Sequence, residues 1–183
     1  MVDLLDLHKY FMLQHICEGD RVADFTMGNG NDTLWLSQTV GEQGRVYAFD
    51  IQEQALSNTE KRLREAGAPE NYELILDSHS NLKQYITEPI KGGMFNRGWL
   101  PGSDKKYTTM RETTRKAVTD AMDMLADNGV LLVAVYPGHE EGTLEGDMLK
   151  DMLSEYPRWK YCCSIFRILN SPASPFFYLI EKK

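Results

Sequence analysis

Val22-Ala-Asp-Phe-Thr-Met-Gly-Asn-Gly-Asn-Asp-Thr33 is the stretch that decides the fold. An apolar strand, Arg21 to Phe25, runs into a turn holding Gly28 and Gly30. A short helix-like segment follows, with Leu34 and Leu36 facing inward. Glycines let a backbone pass close under a ligand and take up positive φ angles that a side chain resists. A second strand, Arg45 to Phe49, then ends in Asp50, about twenty residues past the turn, where a carboxylate can hold a ribose. Strand, glycine turn, helix and acidic strand tip together predict a nucleoside cofactor.

Outward from that unit, strands and helices keep alternating. Leu4, Leu5, His8, Phe11, Met12, His15 and Ile16 recur at helical spacing, predicting an amphipathic helix over the first seventeen residues. His8 and His15 lie on its apolar stripe and read as packed residues. Gln52 to Ala66 is a second amphipathic helix, with Ala55, Leu56, Thr59 and Leu63 on one face and Gly67 as its stop. Tyr72 to Leu76 reads as a third strand ending in Asp77, Leu82 to Ile86 as a short helix, and Gly93 to Phe95 as a short buried strand. Pro101-Gly102 marks a turn, and Met110 to Leu125 a helix ended by Asn128-Gly129. Val130 to Val135 is a strongly β-like run, and Leu144 to Leu153 a further helix. Trp159 to Leu169 and Phe176 to Ile180 are joined too closely for a crossover, so they form a hairpin. The prediction is one α/β domain over residues 1–183: a mostly parallel seven-stranded sheet with an antiparallel C-terminal strand and helices on both faces.

The bulk properties narrow the partners. A chain of 183 residues with 42% apolar residues can bury a substantial core. No run approaches the length of a membrane span. The start Met-Val-Asp-Leu-Leu-Asp lacks the cationic opening of a signal peptide, so a cytoplasmic location is expected. Cys17 and the vicinal Cys162 and Cys163 make neither a disulfide framework nor a metal knuckle and are expected to fill core space. The net charge of −7 argues against non-specific binding to nucleic acid. The distribution is uneven, however. Arg97, Lys105, Lys106, Arg111, Arg115 and Lys116 face only Asp104 and Glu112 within their segment, a local +4, whereas residues 137–155 carry a local −5. A basic segment on an acidic protein suits a polyanion docking in one place, although a solvated helix face explains the charge equally well.

Three acidic side chains end three consecutive strands, and ligands of such sheets bind at that edge. The turn Gly28-Asn29-Gly30-Asn31-Asp32-Thr33 lacks the third glycine of the dinucleotide fingerprint. Asp24, at the end of the preceding strand, sits poorly beside a pyrophosphate. It suits S-adenosylmethionine, whose ammonium group seeks a carboxylate or carbonyl. Asp50 then accepts from the ribose hydroxyls, and Asp77 from the adenine amino group, with Ser78 as a backbone donor. His79 is a candidate for the pocket lining. The cofactor set is Asp24, Thr26, Gly28, Asn29, Gly30, Asn31, Asp32, Thr33, Asp50, Ile51, Gln52, Asp77, Ser78, His79 and Asn96.

The fourth strand ends Met94-Phe-Asn-Arg-Gly-Trp-Leu-Pro-Gly-Ser-Asp-Lys105. An attacking amine needs its lone pair free. Acceptors such as the Asn96 side-chain oxygen can hold its N–H groups and aim that lone pair at a sulfonium methyl. Tyr136-Pro-Gly-His-Glu-Glu-Gly142 follows the fifth strand at the same edge. His139 is a candidate to accept a proton or to contact RNA. It does not open an HExxH zinc helix, because position 143 is threonine, and no metal is expected. Asn96 and His139 are therefore catalytic candidates.

These motifs occur together, in order, over nearly the whole chain: Asp-Phe-Thr-Met-Gly-Asn-Gly-Asn-Asp-Thr, Asp50, Asp77-Ser-His, Phe-Asn-x-Gly-x-Leu-Pro-Gly-x-Asp-Lys, and Tyr-Pro-Gly-His-x-Glu-Gly. The set resembles the small class I methyltransferases labelled rRNA methylases, members of which are associated with the wobble uridine of bacterial tRNA. The resemblance implies a Rossmann-like class I fold and S-adenosylmethionine-dependent N-methylation of 5-aminomethyl-2-thiouridine at tRNA position 34, giving 5-methylaminomethyl-2-thiouridine. It also implies an anticodon stem-loop as partner. By the same resemblance Asn96, Gly98, Leu100 and Pro101 match the methyl-acceptor loop, and Tyr136 and His139 the second active-site loop, which adds Tyr136 to the catalytic candidates. Lys105, Lys106, Thr108, Thr109 and Arg111 fall in the stretch expected to meet the RNA, and Asn170 precedes the hairpin turn. Arg97, Trp99 and Ser171 depart from the family pattern, which leaves the cofactor positions intact and bears on the substrate pocket; Trp99 can stack a base.

Other functions stay open at this point. An rRNA or small-molecule amine acceptor uses the same cofactor site, and the basic segment favours RNA. A nicotinamide oxidoreductase is disfavoured by the missing glycine, and a non-catalytic domain leaves the Asn96 and His139 loops unexplained. A homodimer is compatible with so small an enzyme.

Overall fold

The computed structural model describes residues 4–96, 111–138 and 140–183. Its elements are α1 (Leu4–Met12), β1 (Arg21–Asp24), α2 (Asn31–Val40), β2 (Arg45–Asp50), α3 (Glu53–Glu65), β3 (Tyr72–Leu76), a 3₁₀ turn (His79–Gln84), β4 (Ile90–Asn96), α4 (Arg111–Met124), β5 (Leu125–Val135), α5 (Glu140–Ser154), β6 (Tyr161–Phe166) and β7 (Phe176–Lys182). The seven strands lie in the order β3-β2-β1-β4-β5-β7-β6. β7 alone runs antiparallel to its neighbours β5 and β6. The order reverses between β1 and β4, which opens a crevice at their carboxyl ends.

Side chains alternate across the pleat and so divide the core in two. Ala23, Phe25, Phe49, Phe95, Leu131 and Val133 meet Ala117, Val118 and Ala121 of α4 and Leu149 and Leu153 of α5. Their neighbours Val22, Val46, Met94 and Leu132 face Met12, Ile16, Leu36 and Val40, under α1 and α2. α3 packs against α2 and the β2–β3 end. Directly beneath the crevice, Phe25 stacks between Phe95 and Phe49, with ring centroids 4.3 Å and 5.8 Å away.

Several boundaries differ from the sequence-based expectation; α5 starts at Glu140 rather than Leu144, and β6 spans Tyr161–Phe166 rather than Trp159 to Leu169. α1 stops at Met12, and the chain continues through Gln14 and His15 in i→i+3 turns. β4 spans Ile90–Asn96 rather than Gly93 to Phe95. Gly92 and Gly93 weaken the local strand signal, yet a Cβ on Gly93 would lie 2.8 Å from both Leu131 and Phe25. Packing therefore requires glycine at position 93. α4 gives way to β5 already at Leu125, where pairing with Ile90 precedes a register shift; Asn128 takes φ 55 within that strand instead of ending a helix. Residues 79–84 form a 3₁₀ helix capped by Ser78, whose hydroxyl accepts from the Ser80 N–H.

None of the cysteines is fully buried, although Cys163 packs against the core. Cys17 is exposed, with its N–H donating to Asp20, and Cys162 and Cys163 are half-buried on the edge strand β6. His8 is placed as the stripe implies, whereas His15 lies past the end of α1 and takes polar partners. His8 is buried against Phe177. His15 reaches the Asn128 carbonyl at 2.9 Å and Glu181 at 3.3 Å. No helix among the described residues is long and apolar enough to cross a membrane.

Removing Phe25 takes the middle ring from the stack supporting the crevice. Phe25→Ala is expected to lower the unfolding free energy by about 3–5 kcal/mol, read from urea denaturation midpoints. A loss under about 1 kcal/mol would show that the stack carries little of the fold's stability.

Candidate active site

The crevice is built by three loops that hydrogen-bond one another. β1 and β4 pair in parallel, and the Phe25 N–H donates to the Met94 carbonyl at 2.8 Å. One residue on, Thr26 ties the two tips together. Its hydroxyl accepts from the Asn96 N–H at 2.8 Å and donates to the Asn96 carbonyl at 3.1 Å. The turn then tightens through Gly28 (φ 51) and Gly30 (φ 76). At Gly30 a Cβ would sit 2.9 Å from the Thr59 Cα, so both backbone angle and space demand glycine.

α3 holds the turn from behind. Thr59 donates to the Gly28 carbonyl at 3.2 Å, Arg62 to the Asn29 carbonyl at 2.6 Å, and the Asn58 amide to the Asn29 side-chain oxygen at 2.9 Å. Asn29 thus faces α3, where it also lines a cavity of about 490 Å³ with Asn58, Arg62 and Ala66. Its side chain secures the turn from the rear and stands apart from the strand tips. Sequence reasoning did not assign these α3 residues to the site. The available signal was Thr59, a polar residue on an apolar helix face.

Carboxylates cluster below the turn. Asp24 is fully buried and accepts from the Thr33 hydroxyl at 2.6 Å and the Thr26 N–H at 3.1 Å. Burial, then the nearby charge of Asp32, raises its pKa to about 7 against those two hydrogen bonds; Asp50 adds a smaller push in the same direction. Asp50 accepts from the Gly28 N–H and the Gln52 N–H, each at 3.1 Å, and burial still raises its pKa above the ordinary carboxylate range. Asp77 behaves oppositely. Burial pushes its pKa up, but the Tyr85 hydroxyl (2.9 Å), the Ser78 N–H (2.6 Å) and the Asn81 amide (3.0 Å) together hold it below the ordinary value.

The remaining sequence-predicted residues sort by position. Ile51 is exposed just past Asp50, and Leu76 is equally exposed at the β3 tip; Leu76 was not singled out, although an apolar residue closing a strand was a usable signal. Gln52 is the residue preceding α3 and Ser78 the cap of the 3₁₀ turn. His79 is buried beneath the edge, with Nδ1 3.0 Å from the Phe25 carbonyl and its ring edge-on to Phe95. It packs under the crevice floor. Asn31, Asp32 and Thr33 form the first turn of α2, which starts at Gly30 without a side-chain cap.

Across the crevice, the Asn96 amide donates to Asp32 at 2.8 Å, and its oxygen accepts from the Tyr136 hydroxyl at 2.6 Å. Asn96 and Tyr136, chosen from sequence as catalytic candidates, therefore meet. His139 lies outside the described residues, as do Arg97, Gly98, Trp99, Leu100, Pro101, Lys105, Lys106, Thr108 and Thr109. Arg111 is described, and it pairs with Glu141 of α5 at 3.4 Å. Lys116 likewise binds Asp120 at 2.7 Å as well as the Ser80 carbonyl. The Arg111–Glu141 pair joins the basic segment to the acidic one, whereas Lys116 is paired within α4 itself.

The donor set fits S-adenosylmethionine. The uncapped N–H groups of α2 can receive a carboxylate, Asp50 and Asp77 offer acceptors to ribose and adenine, and Ile51 and Leu76 present apolar surface to a base. Asp24, Asp32 and Asp50 favour a cation over a pyrophosphate. Residues 46–182 match the protein family described as "Putative rRNA methylase", and residues 4–86 match the ubiE/COQ5 methyltransferase family.

The chain belongs to the rRNA methylase family, and with it to the S-adenosylmethionine-dependent methyltransferases. It is 34% identical over 180 residues to the chloroplastic tRNA (mnm(5)s(2)U34)-methyltransferase of Arabidopsis thaliana, covering 93% of this chain and 66% of that protein. The chain thus spans about two thirds of that relative's length. Among solved structures it is similar to an rRNA methylase of Clostridium thermocellum (36% identity, TM-score 0.96, 100% and 99% of the two chains covered). It is also similar to a Streptococcus mutans methyltransferase in complex with SAH (34% identity, TM-score 0.91, again 100% and 99%).

The raised pKa of Asp24 has a measurable consequence. Below about pH 4 the folded and unfolded chains both carry this proton, and between about pH 4 and 7 only the folded chain does. Rising pH therefore costs the ligand-free wild type stability across that window. Asp24→Asn removes the cost, so its unfolding free energy should gain on wild type by a few kcal/mol from pH 4 to 7 and by nothing more above. Parallel stability curves for the two proteins would contradict the assigned burial of charge.

Proposed function

We propose that the protein transfers the methyl group of S-adenosylmethionine to the 5-aminomethyl nitrogen of 2-thiouridine at tRNA position 34, yielding 5-methylaminomethyl-2-thiouridine. The observation that carries this reading is the anchored Asn96. Its main chain is fixed by Thr26, and its amide is fixed between Asp32 and Tyr136. The similarity to the Arabidopsis wobble-uridine methyltransferase supports the same acceptor.

S-adenosylmethionine would supply the electrophilic methyl carbon. The side chains do the rest. Asp50 and Asp77 hold the ribose and adenine, and the first turn of α2 holds the carboxylate. A carbonyl oxygen carries two lone pairs, so the Asn96 side-chain oxygen, which accepts from Tyr136, and its main-chain carbonyl, which accepts from Thr26, each have a second one to offer. Two acceptors so placed take the N–H groups of a neutral amine and leave its lone pair facing the methyl carbon. Holding reactants in line accounts for several kcal/mol of such a barrier. As the N–C bond forms and the S–C bond breaks, positive charge moves to the nitrogen, and the product ammonium later releases a proton.

The anticodon stem-loop meets the segment from Arg97 to Lys116, with Trp99 stacking against a base and Lys105, Lys106, Thr108, Thr109 and Arg111 at phosphates. The whole chain acts as one cytoplasmic catalytic domain in this proposal.

The purified protein, given labelled cofactor and tRNA bearing 5-aminomethyl-2-thiouridine, should place the label in the 5-methylaminomethyl nucleoside, read by mass spectrometry. Label found only in rRNA or a small amine would replace the tRNA assignment. Asn96→Ala is expected to slow transfer about 10- to 100-fold while the cofactor Kd stays within about threefold; abolished cofactor binding would contradict its role. Replacing Lys105 and Lys106 with alanine should raise the KM for tRNA and flatten its salt dependence by about two counterions. An unchanged KM would argue for a small-molecule acceptor.

A further inference from the structure

Asp32 stands in the first turn of α2, among residues expected to hold the cofactor, yet its described hydrogen bond goes elsewhere. Its Oδ2 accepts from the Asn96 Nδ2 at 2.8 Å, across 64 residues of sequence. On the far side of the same amide, the Tyr136 hydroxyl donates to Oδ1 at 2.6 Å. All three side chains are half-buried, so they border the crevice without being sealed from it.

A carboxylate accepts and never donates, whereas a tyrosine hydroxyl does both. An asparagine flanked only by Tyr136 could present either end of its amide to the crevice. With Asp32 on one side, the NH₂ group must point at the carboxylate, and the carbonyl oxygen must point toward Tyr136. We propose that Asp32 is a positioning residue for the acceptor side of the reaction. It fixes the Asn96 amide so that an oxygen, and not an NH₂ group, meets the incoming amine. An NH₂ group in that place would donate to the amine lone pair and occupy the electrons that must attack.

The interaction is charge-assisted, and such a bond is stronger than one between neutral partners. It also joins the two halves of the site through a second route. The Thr26 hydroxyl links β1 to the Asn96 main chain, and Asp32 links the start of α2 to the Asn96 side chain. The α2 turn that receives the cofactor therefore also sets the polarity of the group facing the acceptor. This role rests on the amine-methylation reading, although the orientation of the amide itself does not.

Four measurements test it together. With saturating cofactor and 5-aminomethyl-2-thiouridine tRNA, Asp32→Ala should lower kcat about 10- to 100-fold with the S-adenosylmethionine Kd within about threefold of wild type. The double variant Asp32→Ala/Asn96→Ala should be no slower than Asn96→Ala alone, because a residue acting through another shows no further loss once that partner is gone. Asp32→Asn, which preserves shape if the alanine variant folds poorly, should lose less activity than Asp32→Ala, since it keeps an acceptor but readmits the flipped arrangement. Additive losses, an unchanged kcat, or a Kd weakened more than tenfold with kcat intact would overturn the assignment and make Asp32 a cofactor ligand only. The fourth measurement needs no substrate. In protein labelled with ¹⁵N asparagine, the side-chain amide signal of Asn96, identified by its loss in Asn96→Ala, should exchange slowly in wild type and rapidly in Asp32→Ala. Equal exchange in both overturns the positioning role. Slow exchange in a wild type that leaves the amine-bearing tRNA unmodified would overturn the substrate reading instead.

Discussion

The Thr26 hydroxyl, set between the N–H and the carbonyl of Asn96, is the contact on which the site depends. It closes the crevice where strand order reverses between β1 and β4. On one side of it lie the glycine turn and the carboxylates of Asp24 and Asp50; on the other lies the Asn96 amide with Tyr136 beyond it. A parallel sheet places strand tips side by side but does not set the relative height of the loops that leave them. One bifunctional hydroxyl supplies that constraint. The stacked rings of Phe95, Phe25 and Phe49 keep both tips level from below.

The electrostatics of the crevice favour a cation, and at a cost. Asp24 is sealed from water and raised to a pKa of about 7 with Asp32 and Asp50 close by. Hydrogen bonds from Thr33 and Thr26 offset part of the penalty. Such concentrated negative charge is unfavourable in the ligand-free fold and becomes favourable beside a sulfonium and an ammonium. Asp77 shows what a carboxylate does when its partners are complete: three donor groups hold its pKa low. The two tips therefore play different physical parts, although both are acidic residues ending a strand.

Much of this was legible in the sequence because it is local. Strand β3 runs from Tyr72 to Leu76 as expected, and the glycine turn between Asp24 and Thr33 falls where expected. What was not legible is either non-local or masked by a competing requirement. β4 was expected only from Gly93 to Phe95, yet it begins at Ile90, and Gly92 and Gly93 lie inside it where Ile16 and Met12, and Leu131 and Phe25, leave no room for a Cβ. The Asp32–Asn96 bond and the Arg111–Glu141 pair join residues far apart in sequence, so no window along the chain displays them. Cys17, Cys162 and Cys163 were expected inside on the general habit of free cysteines, but they sit in a surface turn and on an edge strand. Asn29 was assigned to the cofactor with its neighbours, yet the turn aims its side chain at Asn58.

The central claim is that one edge of the sheet brings a methyl donor and an uncharged amine together at Asn96. The most direct measurement is a crystal structure of the protein with SAH and an anticodon stem-loop carrying 5-aminomethyl-2-thiouridine. The account predicts the amine nitrogen at hydrogen-bond distance, about 3 Å, from the Asn96 side-chain oxygen, with its lone pair directed at the cofactor sulfur. A wobble base seated elsewhere, or an amine facing away from Asn96 with the cofactor in place, would contradict it.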